Sequence, residues 1–214
     1  MITLRGEYMT TIPSGSAYAV MPSQSPLTFI DFLLDETGSM GSCSRETCAG
    51  FDNFVDSQRD AEGRCFLTLA KFDSGSVKVP YENLDIAMVT KLSFYPGGGT
   101  NLYDCIGDRL SAVLDQSREG LSLFVIMTDG GDNASHRHTV NSARDLIIRA
   151  QEVGVVVVFL GPSQYALRVG EQLGIPEGNI KPFDTANMSE TMASLNNATT
   201  AFRAGTSAAA SFFN

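Results

Sequence analysis

The sequence predicts an α/β fold: a mainly parallel six-stranded sheet with helices on both faces and one antiparallel edge strand. Three observations carry that expectation. Short runs that are apolar throughout alternate with longer segments whose apolar residues recur every three or four positions, as doubly buried strands alternate with helices. Breaks rich in Gly, Ser and Pro separate the two kinds of segment. One pair of strand-like runs is joined by a tight turn, which makes a single hairpin and so a single antiparallel strand.

Residues 1–26 are rich in Thr, Ser, Pro and Gly with weak periodicity, and are read as an extended or flexible N-terminal arm. The first strand is LTFIDFLL, 27–34, ending at Asp35 and broken by Gly38 and Gly41. Phe51, Phe54 and Val55 then recur at helical spacing over 44–59. A second strand over 65–72 is followed by Asp73-Ser-Gly-Ser76 and the run 77–81, the hairpin partner, which Pro80 confines to an edge. After Gly97-Gly-Gly99 a helix over 102–116 buries Ile106, Leu110, Val113 and Leu114. A strand over 121–127 ends at Thr128-Asp129-Gly130, a helix covers 140–153, and the most apolar strand, 155–160, stops at Gly161-Pro162. A helix near 165–173, a short strand near 180–183 and a helix near 189–202 complete the pattern. The arrangement is doubly wound and Rossmann-like over 27–205, with 206–214 as a C-terminal tail in which Phe212 and Phe213 have no assigned place.

Composition sets the outer limits. The 214 residues suit one α/β domain, and 43% hydrophobic against 18% charged residues gives a full core. A formal net charge of −9 with scattered Lys and Arg excludes a nucleic-acid surface, which needs clustered cations. The longest strongly apolar run, 155–160, falls far short of the roughly 20 residues that span a bilayer, so no membrane partner is expected. Residues 1–26 have no apolar h-region, so a cytoplasmic location is expected, with Cys43, Cys48, Cys65 and Cys105 as reduced thiols. The Cys43-x4-Cys48 spacing matches no standard zinc knuckle.

In a parallel α/β sheet, ligands bind beyond the carboxyl ends of the strands. Two strand ends here carry acids, Asp35 and Asp129, and the loop Gly97-Gly-Gly-Thr100 adds a hydroxyl as it opens a helix. Thr37 and Ser39 alternate with Asp35, so an extended turn points all three the same way. Two carboxylates and three hydroxyls, without His or Cys, form a hard, oxygen-only set suited to Mg2+, Mn2+ or Ca2+ rather than zinc. Five such oxygens leave an octahedral shell open for one external anionic oxygen.

Asp35-x-Thr37-x-Ser39, Gly-Gly-Gly-Thr100 and Thr128-Asp129-Gly130, in that order and after those elements, resemble the three parts of the metal-ion-dependent adhesion site of von Willebrand factor A (VWA) domains. The resemblance covers about 27–205. It implies that Asp35, Thr37, Ser39, Thr100 and Asp129 hold one divalent cation, Mg2+ first, with Mn2+ and Ca2+ as alternatives. Asp35 and Asp129 often act through water in that family, and Thr100 joins or leaves the shell as the site changes state. Thr37 stands where Ser is commoner in the family. The resemblance further implies a non-catalytic module whose protein partner supplies Asp or Glu to the cation. The short, standalone layout is similar to prokaryotic or viral members, for which an ATPase, a kinase or an assembly factor is the expected partner; self-association is a further option.

Simpler readings exist for each piece. Ser, Thr and Asp cap helices and Asp-Gly makes turns; Asp132 and Asn133 could support the site from behind, but suit a solvated loop better. His136-x-His138 lacks a third ligand and reads as surface. Gly97-Gly-Gly99 lacks the Gly-Lys-Ser/Thr ending of a phosphate loop. The alternative function is a Mg2+-dependent phosphoryl-transfer enzyme with Asp35 as nucleophile. That chemistry calls for a second acid two residues on, where Thr37 stands, and a Lys near a later strand end, which the sequence reading does not find.

Overall fold

The apolar runs become strands. In the computed structural model, which describes residues 27–163, 165–183 and 185–214, the strands are β1 (Thr28–Asp35), β2 (Cys65–Phe72), β3 (Val77–Asp85), β4 (Leu121–Met127), β5 (Val155–Pro162) and β6 (Ile180–Phe183). They form one sheet in the order β3-β2-β1-β4-β5-β6. Every neighbouring pair is parallel except β2 and β3. The N-terminal arm expected over 1–26 lies outside the described residues.

Helices cover both faces, which is why the central strands are apolar at consecutive positions rather than alternate ones. α1 (Ser44–Asp60) and α5 (Met188–Arg203) pack together over one face, where Ile30, Phe32 and Leu34 of β1 meet Phe51, Phe54 and Leu195. α2 (Leu102–Leu114), α3 (Val140–Glu152) and α4 (Ala166–Gln172) cover the other, where Leu33 and Phe124 meet Ile106, Leu110 and Ile147. The polar exception inside β1 is Asp31, buried and ion-paired with Arg118, whose guanidinium also lies 5.1 Å from the centre of the Phe29 ring. α3 opens with a capping box: the Thr139 side chain accepts from the Ser142 amide and the Ser142 hydroxyl accepts from the Thr139 amide.

Two places extend the sequence reading. β3 continues to Asp85 rather than ending near 81, running through Pro80 because an edge strand can spare the amide that proline lacks. It is bent there, with register shifts between Leu67 and Lys71 of its partner strand and a left-handed Asn83 at φ 47°. The segment 206–214 also acquires a place. Phe212 is 2% exposed, packs at a tilt against Phe202 at 6.0 Å between ring centres and meets the Phe213 ring edge-on at 5.1 Å. Its amide donates to Asn179 Oδ1 at 2.9 Å, while Asn179 Nδ2 donates to Val157 O at 3.1 Å and Ala209 O at 2.8 Å. None of the four cysteines is paired.

The strand order fixes where a ligand can sit. From β1 the chain moves outward to β2 and β3, then returns to lay β4 on the other side of β1 before continuing to β5 and β6. Connections leaving β1 and β4 therefore diverge, and a crevice opens beyond their carboxyl ends.

Candidate metal centre

Asp35 is the last residue of β1, and Asp129 lies two residues past the end of β4, its direct neighbour. The chain after β1 stays extended through Thr37, then turns into a 3-10 helix over Gly38–Cys43 that carries Ser39. Asp35, Thr37 and Thr100 are buried, Asp129 is half-buried, and Ser39 is exposed, so the group opens to solvent on the Ser39–Asp129 side.

A chain of hydrogen bonds links four of the five residues. Thr37 N–H donates to Asp35 Oδ1 at 2.7 Å, the Thr37 and Ser39 hydroxyls lie 3.1 Å apart, and the Ser39 hydroxyl donates to Asp129 Oδ1 at 2.6 Å. Thr100 joins through its neighbours. A Cβ on Gly130 would lie 3.3 Å from Thr100 Oγ1, and the Thr100 amide donates to Asn133 Oδ1 at 2.8 Å.

The glycine loop explains itself at two positions. Gly98 adopts φ +72°, a conformation L-residues rarely take, and a Cβ on Gly99 would fall 2.7 Å from Asn133 Oδ1. The loop is sewn to the end of β1 by Gly97 N–H to Glu36 O at 2.9 Å and Gly38 N–H to Gly98 O at 3.2 Å.

The electrostatics single out two acids. Other buried carboxylates here have basic partners: Glu36 has Lys71 and Lys78, Asp31 has Arg118, and Asp104 has Arg137. Asp35 and Asp129 have no ion pair among the described residues. Burial pushes the Asp35 carboxyl above its usual range, and the nearby Asp129 charge adds to this, against hydrogen bonds from Thr128 and Thr37. Burial likewise raises Asp129, opposed by the Ser39 hydroxyl. Two partly desolvated carboxylates without a counter-charge make a site that a cation would relieve.

The donor geometry fits a small divalent ion. An octahedral Mg2+ shell with oxygens near 2.1 Å sets adjacent oxygens about 2.9 Å apart. The Thr37–Ser39 and Ser39–Asp129 separations of 3.1 and 2.6 Å straddle that spacing. Among the described residues no group of three or more His, Cys, Asp or Glu side chains is placed to hold a metal, so any ion here relies on hydroxyls beside the two acids. His136 is exposed and His138 half-buried, in keeping with a surface loop.

Several residues support the site in ways that the sequence shows only in part or not at all. Thr128, quoted only as part of a motif, is fully buried and donates to Asp35 Oδ2 at 2.6 Å while accepting from Gly130 N–H at 3.1 Å. Asn133 is exposed and Asp132 half-buried, as a solvated loop requires, yet both also bond inward. Asn133 brackets Thr100, its own amide donating to Thr100 O at 2.9 Å, and Asp132 Oδ2 accepts from the Tyr103 amide at 3.1 Å. Asp104 accepts from the amides of His136, Arg137 and His138, and these bonds hold its carboxyl below the usual range although burial acts to raise it. A lysine does stand near a later strand end, contrary to the sequence reading. Lys71 is the penultimate residue of β2, but its ammonium is spent on Glu36 Oε1 and Ser93 O, both at 2.6 Å.

No protein-family model matches the sequence, and no curated protein matches it. Solved structures do. The pilus adhesin SpaC from Lactobacillus rhamnosus GG, in its open conformation, aligns with a TM-score of 0.61 at 14% identity, over 81% of this chain and 30% of that one. The manganese-loaded TRAP protein of Plasmodium vivax aligns at 0.54 and 16% identity, over 78% and 72%. A von Willebrand factor type A protein from Catenulispora acidiphila aligns at 0.53 and 14% identity, over 83% and 43%. This chain thus spans less than half the length of the adhesin and of the C. acidiphila protein. At such identities the likeness is one of fold, and the fold is VWA-like.

Proposed function

We propose that this chain is a non-catalytic protein-binding module that holds one divalent cation, Mg2+ in the first instance, and uses it to capture an acidic side chain of a partner protein. The observation that carries the reading is the pair Asp35 and Asp129. They are desolvated, without a basic partner among the described residues, joined through Thr37 and Ser39, and placed where β1 and β4 connections diverge. Asp35, Thr37, Ser39, Thr100 and Asp129 would hold the ion. When bound, it would supply an electrophilic position open to an external carboxylate.

The chain's own residues prepare that position. Thr128 and the Thr37 amide fix both oxygens of Asp35, so the carboxylate is oriented before any ion arrives. Exposed Ser39 and half-buried Asp129 form the solvent-facing rim. On a surface of net charge −9, an acidic ligand is otherwise repelled, so selectivity for it depends on the cation and on the loops around it. That a fold neighbour is a manganese-loaded protein and another a pilus adhesin supports the reading in kind. A phosphoryl-transfer role is less well served, because Thr37 stands where that chemistry calls for a second acid and Lys71 is tied to Glu36.

Capture of a partner from lysate on the immobilised chain is expected to be lost in EDTA and restored by Mg2+ or Mn2+. Thr100→Ala is expected to weaken that capture about 10-fold with the fold intact, a magnitude typical of residues that tune a metal site. Capture indifferent to EDTA would contradict the proposal.

A further inference from the structure

The loop after β5 delivers a tyrosine to the same edge of the sheet. Residues 155–160 of β5 lie beside β4, with Leu160 in register with Met127 and its carbonyl accepting from the Thr128 amide, so the chain that follows passes the Asp129 end of β4. Tyr165 sits in that loop, held by its amide donating to Pro162 O at 3.1 Å and its carbonyl accepting from Val169 N–H at 2.9 Å. Its ring packs on the apolar cluster under α2, α3 and α4. Packing accounts for the ring but not for the hydroxyl, which is fully buried and finds no hydrogen-bond partner among the described residues.

A buried hydroxyl left unpaired is uncommon and calls for an explanation, an ordered water or ion being the usual one. Burial, then the charges of Asp129 and Asp35, push the Tyr165 phenol up to about 12, with Arg168 opposing. The group therefore keeps its proton at neutral pH and is a donor, within the field of the two acids of the candidate centre. It bonds to neither of them directly, so a water between them is the fitting partner, since such a water gains several polar contacts at once. The partner protein's carboxylate is a poor alternative, because it would arrive from the Ser39–Asp129 rim, whereas this hydroxyl is sealed from solvent.

We infer that Tyr165 belongs to the cation site as a positioning residue, its hydroxyl donating to a water of the ion's shell on the interior side. The inference rests on the cation-binding reading above. It concerns metal affinity alone and needs no partner.

The test is calorimetric titration of Mn2+ into the full chain and into Tyr165→Phe, with thermal melts of both in EDTA. Tyr165→Phe keeps the ring and removes one oxygen. Mn2+ affinity is expected to fall about 10-fold, while the melting temperature in EDTA stays the same or rises, because an unpaired buried hydroxyl has been deleted. Affinity within twofold of the unmodified chain would overturn the inference. So would a lower melting temperature in EDTA, which would assign the hydroxyl to folding. Failure of the unmodified chain itself to bind Mn2+ would be a different result, sinking the cation-binding reading and this inference with it.

Discussion

Asp129→Ala and Asp35→Asn are each expected to reduce divalent-cation affinity by at least about 100-fold while the far-UV circular dichroism stays native. Removing one unit charge about 4 Å from another charge is worth about 4 kcal/mol at an effective dielectric of 20, close to three decades in affinity, before rehydration gives part of it back. The fold survives for a separate reason in each case. Asp129 is half-buried and accepts one side-chain bond, from exposed Ser39, so its loss strands little. Asp35 is fully buried between the Thr37 amide and the Thr128 hydroxyl, which is why Asn is the better substitution there. Removing either desolvated charge also relieves its burial cost, so the metal-free variants should be no less stable than the unmodified chain. Titration of Mg2+ or Mn2+ by calorimetry checks this, and unchanged binding in both variants would refute the assignment of the site.

The largest expected effect on stability lies far from that site. Phe212→Ala should lower the unfolding free energy by about 3–5 kcal/mol, as for other fully buried phenylalanines. Phe212 packs on Phe202 of α5, and its amide completes the Asn179 side chain, which also ties to Val157 of β5. The last residues thus act as a latch across β5, α5 and the turn before β6. A glycine at 178 makes room for it: a Cβ there would lie 2.7 Å from Ala210 O. Urea denaturation reads the effect, and a loss below about 1 kcal/mol would show that the latch is superficial. Phe213→Ala, at a half-buried position, should cost less.

The fold was legible because its signals are local. Buried parallel strands need consecutive apolar residues, so 27–34, 121–127 and 155–160 announce themselves, and the helices show in their three- and four-residue spacing. The five candidate site residues were nameable for the same reason, since each sits at a strand end or loop that the pattern already marks. What stayed hidden depends on contacts distant in sequence. Thr128 reads as a turn residue until β1 and β4 are paired and its hydroxyl meets Asp35, 93 positions away. Asn133 reads as loop until the glycine loop comes under it. Lys71 looked like a strand residue with no special neighbour, and only the β1–β2 register brings it to Glu36. Phe212 could not be placed because nothing within a few residues of it contains its pocket. Tyr165 gave no sequence signal at all, since a lone tyrosine before a short helix is ordinary.

One divalent cation is expected to bind among Asp35, Thr37, Ser39, Thr100 and Asp129. Crystals of the full chain grown or soaked with Mn2+, measured near the manganese absorption edge, test it most directly. A single strong anomalous peak is expected beyond the carboxyl ends of β1 and β4, about 2.1–2.2 Å from the Thr37 and Ser39 hydroxyl oxygens, as for an octahedral oxygen shell slightly larger than that of Mg2+. No peak there, or a peak only at His136 and His138, would contradict it.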